Sequence, residues 1–230
     1  AVRREGIGLL RRIIENNVSV KIKDIIGYSI KLFEEQGVEK QNINCEKELL
    51  DFLKERMKNI LKEKKIKNDI IEASISSHIG DNYLDLFKKN MIMNKYIDKE
   101  VGKNVVSSYK RAFNIIEKTD KTTLGAPDAI LFRVEDEKML FEKLNEIKKD
   151  FTVQDNKKNY EKLLFSMSEI KPLTDNFFDK VKVNDENNDI KNNRLELLKM
   201  YCNTFNNFIN FSKLEGLKWR KSYLILGIKL

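Results

Sequence analysis

At 230 residues, with 41% hydrophobic against 35% charged positions, the chain can bury one large core or two small ones, and disorder throughout is excluded. No apolar run approaches the roughly 20 residues that span a bilayer, there is no charged-then-apolar secretory leader, and Cys45 and Cys202 lack CxxC spacing. A soluble protein of the reducing cytoplasm is therefore expected, without a disulfide framework or thiolate zinc site. The net charge of +8 suggests an acidic partner, nucleic acid before membrane surface. Heavy use of Lys, Asn and Ile, as in "KNILKEKKIKND", is also what an AT-rich genome gives any protein.

The opening segment "AVRREGIGLLRRIIENN" is in helical rhythm from its first residues and has no start Met, so the chain is expected to be cut from a longer one. Ile7, Leu10, Ile13 and Ile14 form its apolar face. A second stripe runs through Ile22, Ile25, Ile26, Ile30 and Phe33, and a third through Leu49, Leu50, Leu53, Met57, Ile60 and Leu61. Shorter helices are expected near Asp69 to Ser76 and Tyr83 to Tyr96. A longer one should run from Asp98 to Lys118 with Val101, Val105, Ala112 and Ile116 inward, ending before the turn-rich "KTTLGAPDA" that joins two helical hairpins. Met139, Leu140, Leu144 and Ile147 mark another helix, and Tyr160, Leu163, Leu164 and Met167 one more. Pro172 suits a first helical turn, where its missing N–H is not needed. Asn184 to Asn188 reads as a loop, after which Leu198, Tyr201, Phe205 and Phe208 keep helical spacing towards Leu214. The fold class is all-α, one or more helical bundles.

Three segments carry a resemblance to the β subunit of bacterial glycyl-tRNA synthetase. They are "AVRREGIGLLRRIIENN", "YKRAFNIIEK" at Tyr109 to Lys118, and "PLTDNFFDKVKVNDENNDIKNNRLELL" from Pro172, where a double aromatic, an acid and a later Asn-Arg recur at fixed offsets. Their order and separations also resemble the family's. The resemblance implies a C-terminal fragment: residues 1–90 would end an HD-like or linker region, 91–216 would be a helical anticodon-binding domain similar to the DALR type, and 217–230, "LKWRKSYLILGIKL", would be an unmatched tail. Asn184 departs from the family, which often has Met there. The implied function is recognition of glycine tRNA and its anticodon in protein biosynthesis. The implied assembly is an α2β2 glycine-tRNA ligase whose α subunit forms glycyl-adenylate with ATP and Mg, leaving this fragment without a cofactor and without membrane contact. A non-catalytic helical protein-interaction scaffold is the alternative, and a duplex-DNA binder is disfavoured because no helix-turn-helix is evident.

No catalytic residue and no metal site is expected. His78 is the only histidine, and "SHIGD" at Ser77 to Asp81 lacks the second His and the later Lys-rich loop of a class I synthetase signature, so it reads as a glycine-capped helix end. "KEKK" at Lys62 to Lys65 suits a helix C-terminus. On the helix near Tyr109, Asn104, Ser107, Arg111, Asn114 and Lys118 form one polar stripe, flanked by Lys103 and Lys110. Such a stripe offers charge for phosphate and amides for exposed base edges, as tRNA binding requires; the alternative is an ordinary solvated face. Arg194 begins an apolar stripe and needs a partner when its helix packs, and Asp179 is the expected one, in a structural ion pair. Phe177 and Phe178 suit the core more than base stacking, and Trp219 amid Lys218, Arg220 and Lys221 suits a disordered extension more than an anchor.

Overall fold

The computed structural model describes residues 2–38, 44–77, 82–119, 124–152 and 159–214. The tail 217–230 with Trp219, and the part of "SHIGD" from His78 onward, lie outside the described residues. Within them the chain forms ten α-helices: α1 (Val2–Glu15), α2 (Ile22–Glu35), α3 (Cys45–Glu63), α4 (Asn68–Ser76), α5 (Tyr83–Tyr96), α6 (Glu100–Ile116), α7 (Glu135–Phe151), α8 (Tyr160–Ser168), α9 (Lys171–Lys180) and α10 (Asn188–Asn206). Two single 3₁₀ turns add Ala129–Leu131 and Phe211–Lys213. None of these helices is long and apolar enough to cross a membrane.

Apolar spacing of three and four residues is what puts each helix on the core. Helix α1 packs on α3, and Leu10 and Ile13 of the one and Leu53, Met57, Ile60 and Leu61 of the other are all buried. Local chemistry sets several ends. Lys65 (φ 57°) turns the chain out of α3, and the Asn82 carboxamide caps α5 by accepting from the Leu84 and Asp85 N–H groups. Between α5 and α6 the corner is so tight that a Cβ on Gly102 would lie 2.2 Å from the Tyr96 carbonyl oxygen, so glycine is required there.

The most extensive pairing is α6 against α10. Between them lies an aromatic cluster of Tyr109, Tyr201, Phe205 and Phe211, with Tyr201 stacked on Phe205 at a ring separation of 4.5 Å. Helices α7, α8 and α9 close the other sides. The expected continuation of α10 to Leu214 is corrected: the helix ends at Asn206, whose side chain accepts from the Phe211 N–H, and the turned chain delivers Phe208, Ile209 and Phe211 into the core. There the Asn210 N–H reaches the Ala73 carbonyl at 3.0 Å, so the end of the described chain packs on α4. One continuous set of buried side chains runs from Leu10 to Leu214, and residue 90, the expected boundary between two regions, lies inside α5.

Candidate nucleic-acid interface

The polar stripe of α6 faces outward, because Val105, Ser108, Tyr109, Ala112 and Ile116 take the buried side. Its members do not share one environment. Lys103 lies near the start of α6 and lines a hollow of about 660 Å³ with Lys67, Asp69, Asp98 and Leu214. Ser107 is exposed but turns its hydroxyl onto the Asn104 carbonyl at 3.2 Å, and Lys110 is half-buried. Arg111 is committed to α9: its guanidinium donates to Asp175 at 2.8 Å, lies 3.6 Å from Asp179, and covers the Phe178 ring at 4.7 Å. Lys171 binds the same Asp175 carboxylate at 2.5 Å. Burial pushes the Asp175 carboxyl up, but hydrogen bonds from Lys171 and Arg111 outweigh it and hold the group below its ordinary value. Arg111 is therefore part of a clamp between helices before it is anything else.

The last two members stand elsewhere. Asn114 and Lys118, at the C-terminal end of α6, line a cleft of about 650 Å³ with Ile115, Thr119, Val183, Asn184, Lys191 and Leu195. Neither Lys118 nor Lys191 has a salt-bridge partner among the described residues, and the cleft lining contains no carboxylate.

One rim of this cleft is the segment between α9 and α10, and Arg194 holds it. Arg194 is 5% exposed and does not meet Asp179, which corrects the expected pair. Its Nε donates to Glu137 at 2.5 Å, and its Nη1 donates to the Lys182 carbonyl at 2.9 Å and to Asp185 at 2.6 Å. Asp179, at the exposed end of α9, turns instead to Arg111, because the chain reverses after Val181 and carries Arg194 to the α7 side. Glu137 also caps α7, its other oxygen accepting from the Arg133 and Val134 N–H groups at 2.6 and 2.9 Å. The Asn187 N–H holds the Asp185 carboxyl below its ordinary value; desolvation opposes this and the Arg194 guanidinium adds to it.

A third feature was not foreseen. The segment Leu124–Asp128 is strapped along α10: Asn193 donates to the Asp128 carbonyl (3.0 Å) and accepts from its N–H (2.6 Å), Glu196 accepts from the Gly125 N–H at 2.8 Å, and Lys199 donates to the Leu124 carbonyl. The available signal was three polar residues at a pitch of three, Asn193, Glu196 and Lys199, on a helix that carries many other polar residues, so the pattern did not stand out. Phe177 is fully buried and Phe178 half-buried beneath Arg111, so the double aromatic serves packing. Among the described residues no group of three His, Cys, Asp or Glu could hold a metal ion.

Residues 105–215, which hold most of α6 and all of α10, match the family described as DALR anticodon binding domain. Residues 1–76 match the family described as glycyl-tRNA synthetase beta subunit. The glycine–tRNA ligase beta subunit of Rickettsia africae is 33% identical over 214 residues, covering 93% of this chain and 30% of that protein. Those of a Sulfurihydrogenibium species and of Clostridioides difficile are 32% and 28% identical, covering 94% and 93% of the chain and 29% and 30% of theirs. The chain thus spans about 30% of the length of these relatives. With matches at both ends and relatives along nearly its whole length, the chain is similar to part of the glycyl-tRNA synthetase beta subunit and, over residues 105–215, to the DALR anticodon binding domain.

Proposed function

We propose that this chain is the tRNA-binding, anticodon-recognising part of a glycyl-tRNA synthetase β subunit, a helical module that grips glycine tRNA while the α subunit, with ATP and Mg, performs aminoacylation. An α2β2 assembly in the cytoplasm is the setting for that role. The observation that carries the reading is the coincidence of two independent features. The stretch similar to anticodon-binding domains contains most of the outward stripe of α6, from Ser107 to Lys118, and that stripe ends at a cleft with two lysines that have no carboxylate partner among the described residues. Lysines serve phosphate, and Asn114 offers a directional amide for a base edge, which is how unstacked loop bases are read. At the other end, Ile25, Tyr28, Leu32 and Phe33 are exposed on α2 and suit contact with a further protein surface, which favours a scaffolding contribution from α1–α3 beside RNA binding.

The test is a titration of the chain with glycine tRNA and with the same tRNA carrying another anticodon. Tighter binding of the first, weakening as salt rises, is expected. Equal affinity for both would leave RNA binding without anticodon recognition, and no binding at physiological salt would leave only the scaffold.

A further inference from the structure

We infer that the cleft between the C-terminal end of α6 and the N-terminal end of α10 is a preformed seat for one unstacked nucleotide of a single-stranded RNA loop, its phosphate held between Lys118 and Lys191 and its base edge met by Asn114 and Asn184. The inference rests on the RNA reading above and assigns it a place and residues.

Four observations support the seat. Its volume of about 650 Å³ falls within the range of roughly 300–1,000 Å³ usual for small-ligand clefts. Its lining divides into an apolar part, Ile115, Val183 and Leu195, against which a base can lie, and a polar part of two lysines, two amides and Thr119. Among the described residues the two lysines have no carboxylate partner, whereas many others, such as Lys67 with Asp98 and Lys95 with Glu161, are paired. Lys191 in particular sits in the second turn of α10, near the positive end of the helix dipole, where a cation gains nothing from the helix itself. By contrast Lys118, just past the end of α6, is where a helix favours a cation, so Lys191 is the more telling of the two.

The fourth observation is rigidity. Val183 and Asn184 lie between two points that Arg194 fixes, the Lys182 carbonyl and the Asp185 carboxylate, and Asp185 is further held by its own N–H to the Val183 carbonyl (3.0 Å) and by the Asn187 N–H to its side chain (3.0 Å). A rim fixed in this way binds without first having to order itself. Asn184 is exposed and makes no side-chain contact needed by the fold, so its amide is available to a ligand.

The experiment is a set of titrations of the 230-residue chain with glycine tRNA and an anticodon-swapped version at several salt concentrations, on the parent and on Lys191→Ala, Lys191→Arg, Asn184→Ala and, as a control of equal charge change just past the end of α3, Lys64→Ala. Thermal melts verify folding of each variant. The expected result is that Lys191→Ala weakens both RNAs about fivefold and lowers the slope of log affinity against log salt by about 0.7, the value for one single-strand phosphate. Lys191→Arg keeps the slope, and Asn184→Ala reduces discrimination between the two RNAs about tenfold, the scale of one lost base-edge contact. If the parent binds and discriminates but Lys191→Ala and Asn184→Ala behave like the parent, or Lys64→Ala behaves like Lys191→Ala, the seat is overturned and the proposed function stands. A parent that binds neither RNA overturns both.

Discussion

Arg194 shows how one side chain can look functional and be structural. It lies within the segment most like the family, beside a positively charged surface, yet all its donors with described partners point inward, to Glu137, Asp185 and the Lys182 carbonyl. Replacing it by Ala strands Glu137, 1% exposed, without its charge partner, and we expect a loss of about 3–5 kcal/mol, measured by urea unfolding. Lys at this position should recover only part of the loss, since one ammonium cannot reproduce the planar fork that serves three acceptors in different directions. That Arg194 needed a partner was legible from helical arithmetic, because it opens a buried stripe. Which partner was not, because Glu137 is 57 residues away and its approach depends on how α7 lies on α10. Arg111 reverses the case. It reads as an RNA contact, but Asp175, Asp179 and Phe178 occupy it, so Arg111→Ala should cost about 1 kcal/mol in thermal stability and weaken tRNA binding less than Lys118→Ala does. A double-mutant cycle with Asp175→Asn separates the two effects.

Among the elements, the helices themselves were legible and their fastenings were not. Periodicity located α5 and α6 because burial repeats every three to four residues, whereas the straps depend on polar groups brought together from distant parts of the chain. The Leu124–Asp128 strap depends on Asn193, which is 2% exposed and pairs with both backbone groups of Asp128. Asn193→Ala removes that pairing and leaves a short N–H without its acceptor; we expect about 1–3 kcal/mol of destabilisation and faster amide exchange at Gly125 and Asp128 than in the middle of α10. The α6–α9 clamp has a pH signature. Asp175 is held below its ordinary value of 3.8, so the folded state binds this proton less readily than the unfolded chain does. Its contribution is complete above that value and is lost as pH falls through the lower folded value. Melting temperature should therefore drop as pH is taken below about 4, and Asp175→Asn should flatten part of that drop.

For the whole molecule, composition is a poor guide to how much charge is available to RNA. The formal net charge is +8, but Lys58, Lys67, Lys95, Lys143, Lys171 and Lys180 are engaged with carboxylates, while Lys103, Lys118 and Lys191 on or beside the α6 stripe have no salt-bridge partner among the described residues. If binding is local to that face, about three phosphates are neutralised, and log affinity for glycine tRNA should fall with log salt at a slope of about −2 to −3, at roughly −0.7 to −0.9 per phosphate. A diffuse attraction to the whole basic surface predicts a slope nearer −7 by the same relation, and it predicts no preference for the glycine anticodon. The measurement is one titration series from low to moderate salt with the matched and swapped tRNAs. A shallow slope with retained discrimination places recognition on the α6–α10 face. A steep slope without discrimination means that the basicity inherited from composition does the binding, and that the partnerless lysines at the cleft are incidental.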